Sequence, residues 1–297
     1  MRDKRLNILV TGANGQLGRC LRDAAKDSEN RYVFTDICDL PGLETVHLDA
    51  CNPGAVDIVA DSEQIGIIVN CAGYTNVDKA EDDLHLADML NRQLPANLCA
   101  TAKRRNALLI HISTDYVFGG DASAPIPEDA LPAPLGVYGA TKLAGEKAVL
   151  DSGCRHIIIR TAWLYSVYGR NFLKTMFSLT SERPEIRVVN DQKGTPTYAP
   201  DLAEFIVGVI DGGMTDAEGV YNFTDEGECT WFEFAEEINR LAGHLCKVTP
   251  CRTEEYPTRA RRPRYSVLDK TAVKAAFGIA LPHWKESLEK GINILQG

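Results

Sequence analysis

The sequence has no CxxC pair, no closely spaced histidines and no apolar run that approaches the roughly 20 residues of a membrane span. Because the six histidines are dispersed, no zinc site is indicated, and we expect no bound metal. The lack of a long apolar segment argues against a membrane partner. The function of the chain must therefore be sought in other motifs.

An excess of positive charge is also missing. The net charge is −9, which argues against nucleic acid as a partner, since a polyanion is bound through a basic surface. The nine cysteines are scattered from Cys20 to Cys251, which suits reduced thiols better than a disulfide framework. The charged residues 1–7 lead into a short strand and lack the apolar core of a signal peptide. We therefore expect a soluble, cytoplasmic protein.

Short β-rich runs alternate with helical patterns in the first half of the chain. The strands read as nearly continuous apolar runs, which is typical of a parallel sheet covered by helices on both faces. This pattern predicts the α/β class, with a doubly wound parallel sheet of the Rossmann type. The predicted strands are 7–11, 32–36, 65–71, 108–113 and 156–160, and the predicted helices are 16–26, 53–64, 83–106 and 139–152.

The alternation loosens after residue 160. A helix is predicted over 200–211, a last sheet strand over 219–223 and an amphipathic helix over 230–241, followed by an irregular tail. We therefore assign 1–160 to a dinucleotide-binding domain, to which 199–223 returns. Residues 161–198 and 224–297 are assigned to a smaller C-terminal lobe that binds substrate.

A glycine-rich turn joins the first strand to the first helix. Gly12, Gly15 and Gly18 stand where close approach to a pyrophosphate and tight helix–strand packing require glycine. Gln16 and Leu17 lie in the first helical turn, where free N–H groups and the positive end of the helix dipole favour phosphate. The turn therefore predicts a dinucleotide site.

An acidic residue completes this pattern. Asp36 ends the second predicted strand, 18 residues after Gly18, where a carboxylate accepts hydrogen bonds from ribose hydroxyls. Its charge repels a 2′-phosphate, so NADH is favoured over NADPH. Arg19, next to the turn, would soften that preference. A further segment, Ala72-Gly73-Tyr74-Thr75, follows the strand 65–71, where a cofactor crosses the sheet edge.

A tyrosine and a lysine four residues apart, Tyr138 and Lys142, lie on one helix face within reach of each other. Ser113 and Thr114 end the preceding strand at the same rim of the sheet, and only one of them can face the cofactor if the strand is regular. We expect neutral Tyr138 to protonate a carbonyl oxygen as hydride arrives at its carbon. A Lys142 ammonium about 4 Å away would lower the pKa of Tyr138 by about 3 units from about 10.

These motifs together resemble the dTDP-4-dehydrorhamnose reductase family, in the extended branch of the short-chain dehydrogenase/reductase superfamily. The resemblance covers nearly the whole chain and is most specific in the strings STDYVF and YGATKLAGE. Its carriers are residues 11–18, 76–81, 113–118, 137–146, 160–165, 190–197, 262–263 and 266–269.

The resemblance implies reduction of the C4 carbonyl of dTDP-4-dehydro-L-rhamnose by NAD(P)H, giving dTDP-L-rhamnose. It selects Thr114 as the residue that holds the substrate oxygen against Tyr138, and it places Asp49 and Ala50 at the adenine ring. Tyr116 takes the place of the second carboxylate of the related dehydratases, which favours simple reduction. The residues implied around the sugar are Val77, Thr114, Asp115, Tyr116 and Trp163.

Four side chains have weaker expected roles. Trp163 would pack its ring face on the sugar. Asn91 would support a water relay to Lys142, whereas Asn171 and Arg262 would bind the diphosphate, for which a guanidinium is well shaped.

Two other functions remain open. The same family resemblance extends to a non-catalytic NAD(P)-binding regulatory subunit of methionine adenosyltransferase, and the fold also serves reductases or epimerases of other nucleotide sugars. Some relatives form magnesium-bridged dimers through glutamates, but Cys20 stands at one of those positions. A homodimer is possible, and we do not expect it to be metal-bridged.

Overall fold

A computed structural model describes residues 5–297, so residues 1–4 of the predicted dinucleotide-binding domain lie outside the described part. The strands, in chain order, are β1 (Asn7–Thr11), β2 (Arg31–Asp36), β3 (Val46–His47), β4 (Ile67–Asn70), β5 (Leu108–Thr114), β6 (Arg155–Thr161), β7 (Leu164–Tyr165), β8 (Glu185–Val189), β9 (Lys193–Gly194), β10 (Thr197–Tyr198), β11 (Gly219–Asn222), β12 (Cys229–Thr230) and β13 (Lys247–Cys251).

The helices, in the same order, are α1 (Gln16–Ala24), α2 (Pro53–Ser62), α3 (Val77–Ala80), α4 (Leu84–Asp88), α5 (Leu94–Arg105), α6 (Val137–Ser152), α7 (Phe172–Glu182), α8 (Ala199–Asp211), α9 (Trp231–Ala242), α10 (Thr271–Phe277) and α11 (Trp284–Gln296). A π-helical turn, Met89–Gln93, joins α4 to α5, and short 3-10 turns span Asp115–Val117 and Thr253–Glu255.

The central sheet has seven strands in the order β11-β6-β5-β4-β1-β2-β3, and every pair in it is parallel. The chain leaves β1 toward β2 and β3, then returns to add β4 on the other side of β1. That reversal opens a crevice beyond the carboxyl ends of β1 and β4, which is where ligands bind in open α/β sheets. The predicted doubly wound Rossmann sheet is confirmed.

Each face of the sheet has its own core. On one face, apolar side chains of the sheet pack against α1 and α8, and on the other they pack against α2 and α5. The central strands are buried on both faces, which explains why their sequences are continuously apolar. A third cluster, formed by α7, α9, α11 and β8, is the core of the smaller lobe.

The long helix predicted over 83–106 is divided. The structure has α4, the π-helical turn and α5 in its place, and α3 precedes them. The C-cap of α5 is Asn106 in the left-handed conformation, with φ of 54°.

The tail predicted to be irregular is largely ordered, so that prediction is wrong. It contains β13, α10 and α11, and β13 pairs in parallel with β8. Trp284, Leu288 and Ile292 are spaced by four residues along α11 and are all buried, which fixes this helix on the smaller lobe. From α10, Val273 and Phe277 pack into the core beside α8.

Within residues 5–297, no helix combines the length and apolar character that a membrane crossing requires. The same part of the chain holds no group of three or more His, Cys, Asp or Glu side chains arranged to bind a metal ion.

Candidate active site

A cleft of about 1320 Å³ lies beyond the carboxyl ends of the central strands, between the sheet and the smaller lobe. It brings together every predicted site residue except Gly18, which lies behind the turn. Those that line it are Gly12, Gly15, Gln16, Leu17, Asp36, Asp49, Ala50, Ala72, Gly73, Tyr74, Thr75, Val77, Thr114, Asp115, Tyr116, Tyr138, Lys142 and Trp163.

The glycine turn has no room for side chains. Gly12 has φ of +65°, and a Cβ atom there would lie 2.7 Å from the backbone N of Ala72. A Cβ on Gly18 would lie 2.4 Å from the carbonyl O of Gly12. Gly12 therefore lets the turn approach the end of β4, and Gly18 lets α1 pack beneath it.

Asp36 lies at the far side of the turn, at the end of β2. Its Oδ2 accepts a hydrogen bond from the Asn14 N–H at 3.0 Å, and its Oδ1 accepts one from the Cys38 N–H at 3.2 Å. The carboxylate therefore helps hold the loop around it while it lines the cleft. Arg19 stacks on the Tyr168 ring, 3.9 Å from its centroid, and does not line the cleft.

Gln16 ties the glycine turn to the smaller lobe. Its Nε2 donates to the Leu164 carbonyl O at 3.0 Å, and its Oε1 accepts from Asn171 Nδ2 at 2.7 Å. Asn171 also caps α7, because its Oδ1 accepts from the Lys174 N–H at 3.1 Å. The Asn171 amide, predicted to bind diphosphate, is instead occupied by protein groups.

Tyr138 and Thr114 meet at the rim, whereas Ser113 points elsewhere. Ser113 Oγ donates to Glu146 Oε1 at 2.5 Å, next to the buried Glu146–Arg160 ion pair. The Thr114 hydroxyl accepts from the Tyr116 N–H at 3.2 Å and lies 3.0 Å from Asp115 Oδ1. Of the two neighbours at the end of β5, Thr114 is thus the one whose hydroxyl is not bonded to Glu146, and it lines the cleft together with Tyr138.

The charges around Tyr138 differ from the sequence-based expectation. Burial raises the pKa of Tyr138 to about 12, although the nearby Thr114 hydroxyl opposes the rise. The Lys142 ammonium donates to the Ile112 carbonyl O at 2.6 Å, and burial lowers the pKa of Lys142 to about 8. The predicted lowering of the Tyr138 pKa by Lys142 is therefore wrong for this arrangement, because desolvation of the phenol dominates.

Asn91 lies in the π-helical turn and is buried. Its Oδ1 accepts from the Tyr74 N–H at 2.8 Å, and its Nδ2 donates to Thr141 Oγ1 at 3.1 Å. Asn91 thus joins the loop after β4 to α6, the helix that carries Tyr138. Gly73 lies next to both Asn91 and Lys142. A Cβ at this position would be 3.1 Å from Asn91 Oδ1 and 3.9 Å from Lys142 Nζ, so a side chain here would crowd the Asn91 amide.

Arg262 is paired within the protein. Its Nη2 lies 2.6 Å from Asp78 Oδ2, and the Asp78 carboxylate also accepts from the Ala260 N–H at 3.0 Å. The bond to Arg262 lowers the pKa of Asp78. The pair fastens the 258–262 loop to α3 at the edge of the cleft, so the guanidinium predicted to bind diphosphate already has a carboxylate partner.

Trp163 has an unusual backbone and covered ring faces. Its φ is +48°, a conformation that costs a bulky residue on the order of 1–3 kcal/mol. A Cβ on Gly194 would lie 2.6 Å from Cε2, 2.8 Å from Cζ2 and 2.8 Å from Nε1 of the indole, which places Gly194 over one ring face. Trp231 stacks in parallel at 3.4 Å between centroids, with 8° between planes.

Gly194 and Trp231 lie on opposite faces of Trp163. If they shared a face, atoms of the stacked Trp231 ring would be among those nearest to a Cβ on Gly194, but the three nearest atoms all belong to Trp163. Trp231 on one face and Gly194 over the Nε1–Cε2–Cζ2 side of the other oppose the expectation that Trp163 lays a ring face on the sugar.

The fold is shared with solved proteins. A dTDP-4-dehydrorhamnose reductase of Clostridium acetobutylicum superposes with a TM-score of 0.91 at 42% identity, covering 98% of this chain and 100% of that one. The family model described as the RmlD substrate binding domain matches residues 6–296. The chain belongs to this RmlD family.

Other RmlD relatives agree with that assignment. A dTDP-4-dehydrorhamnose reductase of Bacillus anthracis, solved in complex with NADP, has a TM-score of 0.90 at 37% identity, covering 99% of this chain and 100% of that one. The dTDP-4-dehydrorhamnose reductase of Escherichia coli is 38% identical over 98% of each chain. A Streptomyces antibioticus relative, named a probable dTDP-4,6-dihydroxy-2-methyloxan-3-one 4-ketoreductase, is 38% identical over 95% of this chain and 93% of its own.

Some residues of this RmlD cleft escaped the sequence analysis. Trp231 and Phe172, the first residues of α9 and α7, line it, as do Arg187, Gln192 and Tyr256 from the smaller lobe. For Trp231 and Phe172, the only indication in the sequence was an aromatic residue at the start of a helix. Cys20, noted in place of a glutamate, is buried in the sheet core, and burial raises the pKa of its thiol to about 12.

Proposed function

We propose that this chain is an NAD(P)H-dependent reductase that converts dTDP-4-dehydro-L-rhamnose to dTDP-L-rhamnose by reducing the C4 carbonyl. The observation that carries the proposal is that Thr114, Tyr138 and Lys142 all line one glycine-lined cleft, with Tyr138 and Lys142 about one helical turn apart on α6. Membership of the RmlD family and relatives named as this reductase support the substrate.

The cleft fits a nicotinamide dinucleotide. A side chain on Gly12 would collide with the end of β4, so the turn is built around glycine in the way that close approach to a pyrophosphate requires. We assign the pyrophosphate to the Gly12–Gly18 turn, the adenosine ribose to Asp36 and the adenine ring to Asp49 and Ala50. When bound, the dihydronicotinamide supplies the hydride.

Tyr138 is assigned as the proton donor. A phenol with a pKa near 12 is fully protonated at neutral pH. The alkoxide formed at C4 is comparable in basicity to hydroxide, and water has a pKa of about 15.7. Proton transfer from Tyr138 to that oxygen is therefore downhill even without further tuning. Thr114 holds the same oxygen in place.

We assign Lys142 to holding the cofactor beside Tyr138, and this role requires the ammonium form. Because the pKa of Lys142 is lowered to about 8, the ammonium is lost as pH rises through that value. We expect kcat/KM to be constant below pH 8 and to fall tenfold per pH unit above it.

A pH profile of kcat/KM for NADPH oxidation measures this decline. Lys270→Met is a matched control, since Lys270 is also buried with a lowered pKa but does not line the cleft. The control should keep the same descending limb. A flat profile from pH 6 to about 10 would contradict the role of the ammonium.

The direct test of function follows the absorbance of NADH and, in parallel, of NADPH with purified chain and dTDP-4-dehydro-L-rhamnose. Net loss of either reduced cofactor excludes an epimerase. Parallel assays with GDP-linked 4-keto sugars and with other dTDP-linked keto sugars separate substrate classes, because the Streptomyces antibioticus relative is named for a different dTDP-linked ketone. No turnover on any keto sugar, together with capture of a stoichiometric methionine adenosyltransferase, would favour the regulatory-subunit alternative.

For the cofactor we propose a preference for NADH, supported by the position of the Asp36 carboxylate in the cleft. Asp36→Ala should relax discrimination against NADPH, because the carboxylate that repels a 2′-phosphate is removed. The ratio of kcat/KM values for the two cofactors measures this. Asp39→Ala, an exposed carboxylate nearby in sequence that does not line the cleft, is the control. An unchanged ratio in Asp36→Ala would contradict the ribose assignment.

A further inference from the structure

Three aromatic side chains meet where the sheet and the smaller lobe face each other across the cleft. Trp163 follows β6, whereas Trp231 and Phe172 are the first residues of α9 and α7. Phe172 lies 4.5 Å from Trp231, between ring centroids, at 45°. The stack of Trp163 on Trp231 thus connects the end of a central strand to two helices of the smaller lobe.

Trp231 is held firmly by the start of its helix. Thr230 and Glu233 form a capping box, in which the Thr230 N–H donates to Glu233 Oε2 at 2.7 Å and the Glu233 N–H donates to Thr230 Oγ1 at 3.2 Å. Thr230 is also bonded to Asn190 Oδ1 at 2.9 Å. The ring of Trp231 is therefore a fixed surface against which Trp163 rests.

The opposite face of Trp163 rests on Gly194, where a side chain larger than hydrogen has no space. With Trp231 on one face and Gly194 over the Nε1–Cε2–Cζ2 side of the other, the nitrogen-bearing edge is the part of the indole that the proposal assigns to the ligand. Aromatic edges carry partial positive charge and aromatic faces partial negative charge. An edge therefore favours oxygen atoms, such as sugar hydroxyls or phosphate oxygens, over the apolar C–H face of a sugar.

We propose that Trp231 is a positioning residue for the sugar-nucleotide site, because with Gly194 it clamps Trp163 so that the indole edge meets oxygen atoms of the ligand. The proposal rests on the proposed function, since it deepens the description of the same site. It also accounts for the left-handed backbone of Trp163, which the two covering groups hold in place.

The clamp has a spectroscopic signature. Two parallel indoles in contact give an exciton couplet in far-ultraviolet circular dichroism, and the chain has only three tryptophans. The third, Trp284, packs against Phe234 and does not line the cleft, so Trp284→Phe is a matched control. Trp231→Leu and Trp284→Phe are compared with wild type, and Trp231→Phe, which keeps an aromatic cover, is the variant least disturbing to folding.

The ligand probes are dTDP-L-rhamnose and NADPH, each titrated calorimetrically. In Trp231→Leu we expect loss of the couplet and about tenfold weaker binding of dTDP-L-rhamnose, the upper range for an aromatic pair. NADPH binding should stay within about twofold of wild type. Trp231→Phe should lose the couplet but bind dTDP-L-rhamnose within about threefold of wild type, whereas Trp284→Phe should keep both the couplet and the affinity.

Two results overturn the proposal. One is a Trp231→Leu variant that turns over and binds dTDP-L-rhamnose like wild type. The other is a couplet that survives in Trp231→Leu or disappears in Trp284→Phe. Failure of the proposed function gives a different result: the wild-type chain then shows the couplet but neither binds dTDP-L-rhamnose nor oxidises NADPH with the keto sugar, and the role of the clamp in sugar binding falls with it.

Discussion

Tyr138→Phe is expected to lower kcat by at least about 100-fold, the lower range for general acid catalysis. The change removes one hydroxyl and leaves the ring, which packs edge-on against Tyr116 with 5.5 Å between centroids. The fold and the glycine turn are untouched, so NADPH should bind as in wild type. The measurements are steady-state NADPH oxidation with the keto sugar and a separate titration of NADPH.

Tyr221→Phe provides the control for that variant. Tyr221 lies on β11, packs against Phe277 and does not line the cleft, so loss of its hydroxyl should leave kcat unchanged. A Tyr138→Phe enzyme with a near-normal kcat would show that another group donates the proton.

Lys142→Met is expected to abolish most activity while making the protein more stable at neutral pH. Burial lowers the pKa of Lys142 from 10.5 to about 8, a difference of 2.5 units that corresponds to about 3 kcal/mol of unfavourable folding free energy. The lost hydrogen bond to the Ile112 carbonyl, which has a charged donor, offsets about 2 kcal/mol of this. We therefore expect the free energy of unfolding to rise by about 1 kcal/mol at pH 7, and kcat to fall at least about 100-fold.

The pH dependence of this gain has a definite sign. Below pH 8 the lysine is charged in both the folded and the unfolded protein, so the full cost is present in wild type. Between pH 8 and 10.5 the unfolded state binds the additional proton, so the stability contributed by this site in wild type rises with pH and the advantage of Lys142→Met shrinks. Urea unfolding at pH 7 and pH 10 measures both values. A variant less stable than wild type at pH 7 would contradict the assigned desolvation cost.

The sheet was predictable because its signal is local. Most residues of the strands β1, β4 and β5 are apolar, and the glycines of the turn between β1 and α1 can be recognised from their spacing in the sequence. Tyr138 and Lys142 could be placed on one side of α6 because four residues make about one helical turn, and their position in the same cleft as Thr114 followed from the parallel sheet.

The smaller lobe was predicted less well because its contacts join distant parts of the chain. The pairing of β8 with β13 includes Pro250, which weakens any strand pattern, and α11 has Gly291 in its middle. Likewise, neither Trp163 nor Trp231 shows in its own neighbourhood that the two indoles stack. The pKa of Tyr138 was predicted in the wrong direction because burial of the phenol cannot be judged from spacing.

The π-helical turn at Met89–Gln93 sets the rotation of α4 about the helix axis relative to α5. One residue advances an α-helix by about 100°, so deleting a single residue from this turn would turn the segment before it by that angle relative to α5. Asn91 would then swing away from Tyr74 and Thr141, and the loop after β4 would lose its connection to α6. The wider turn thus lets the regular helices on either side keep their packing while the Asn91 amide points between the loop after β4 and α6.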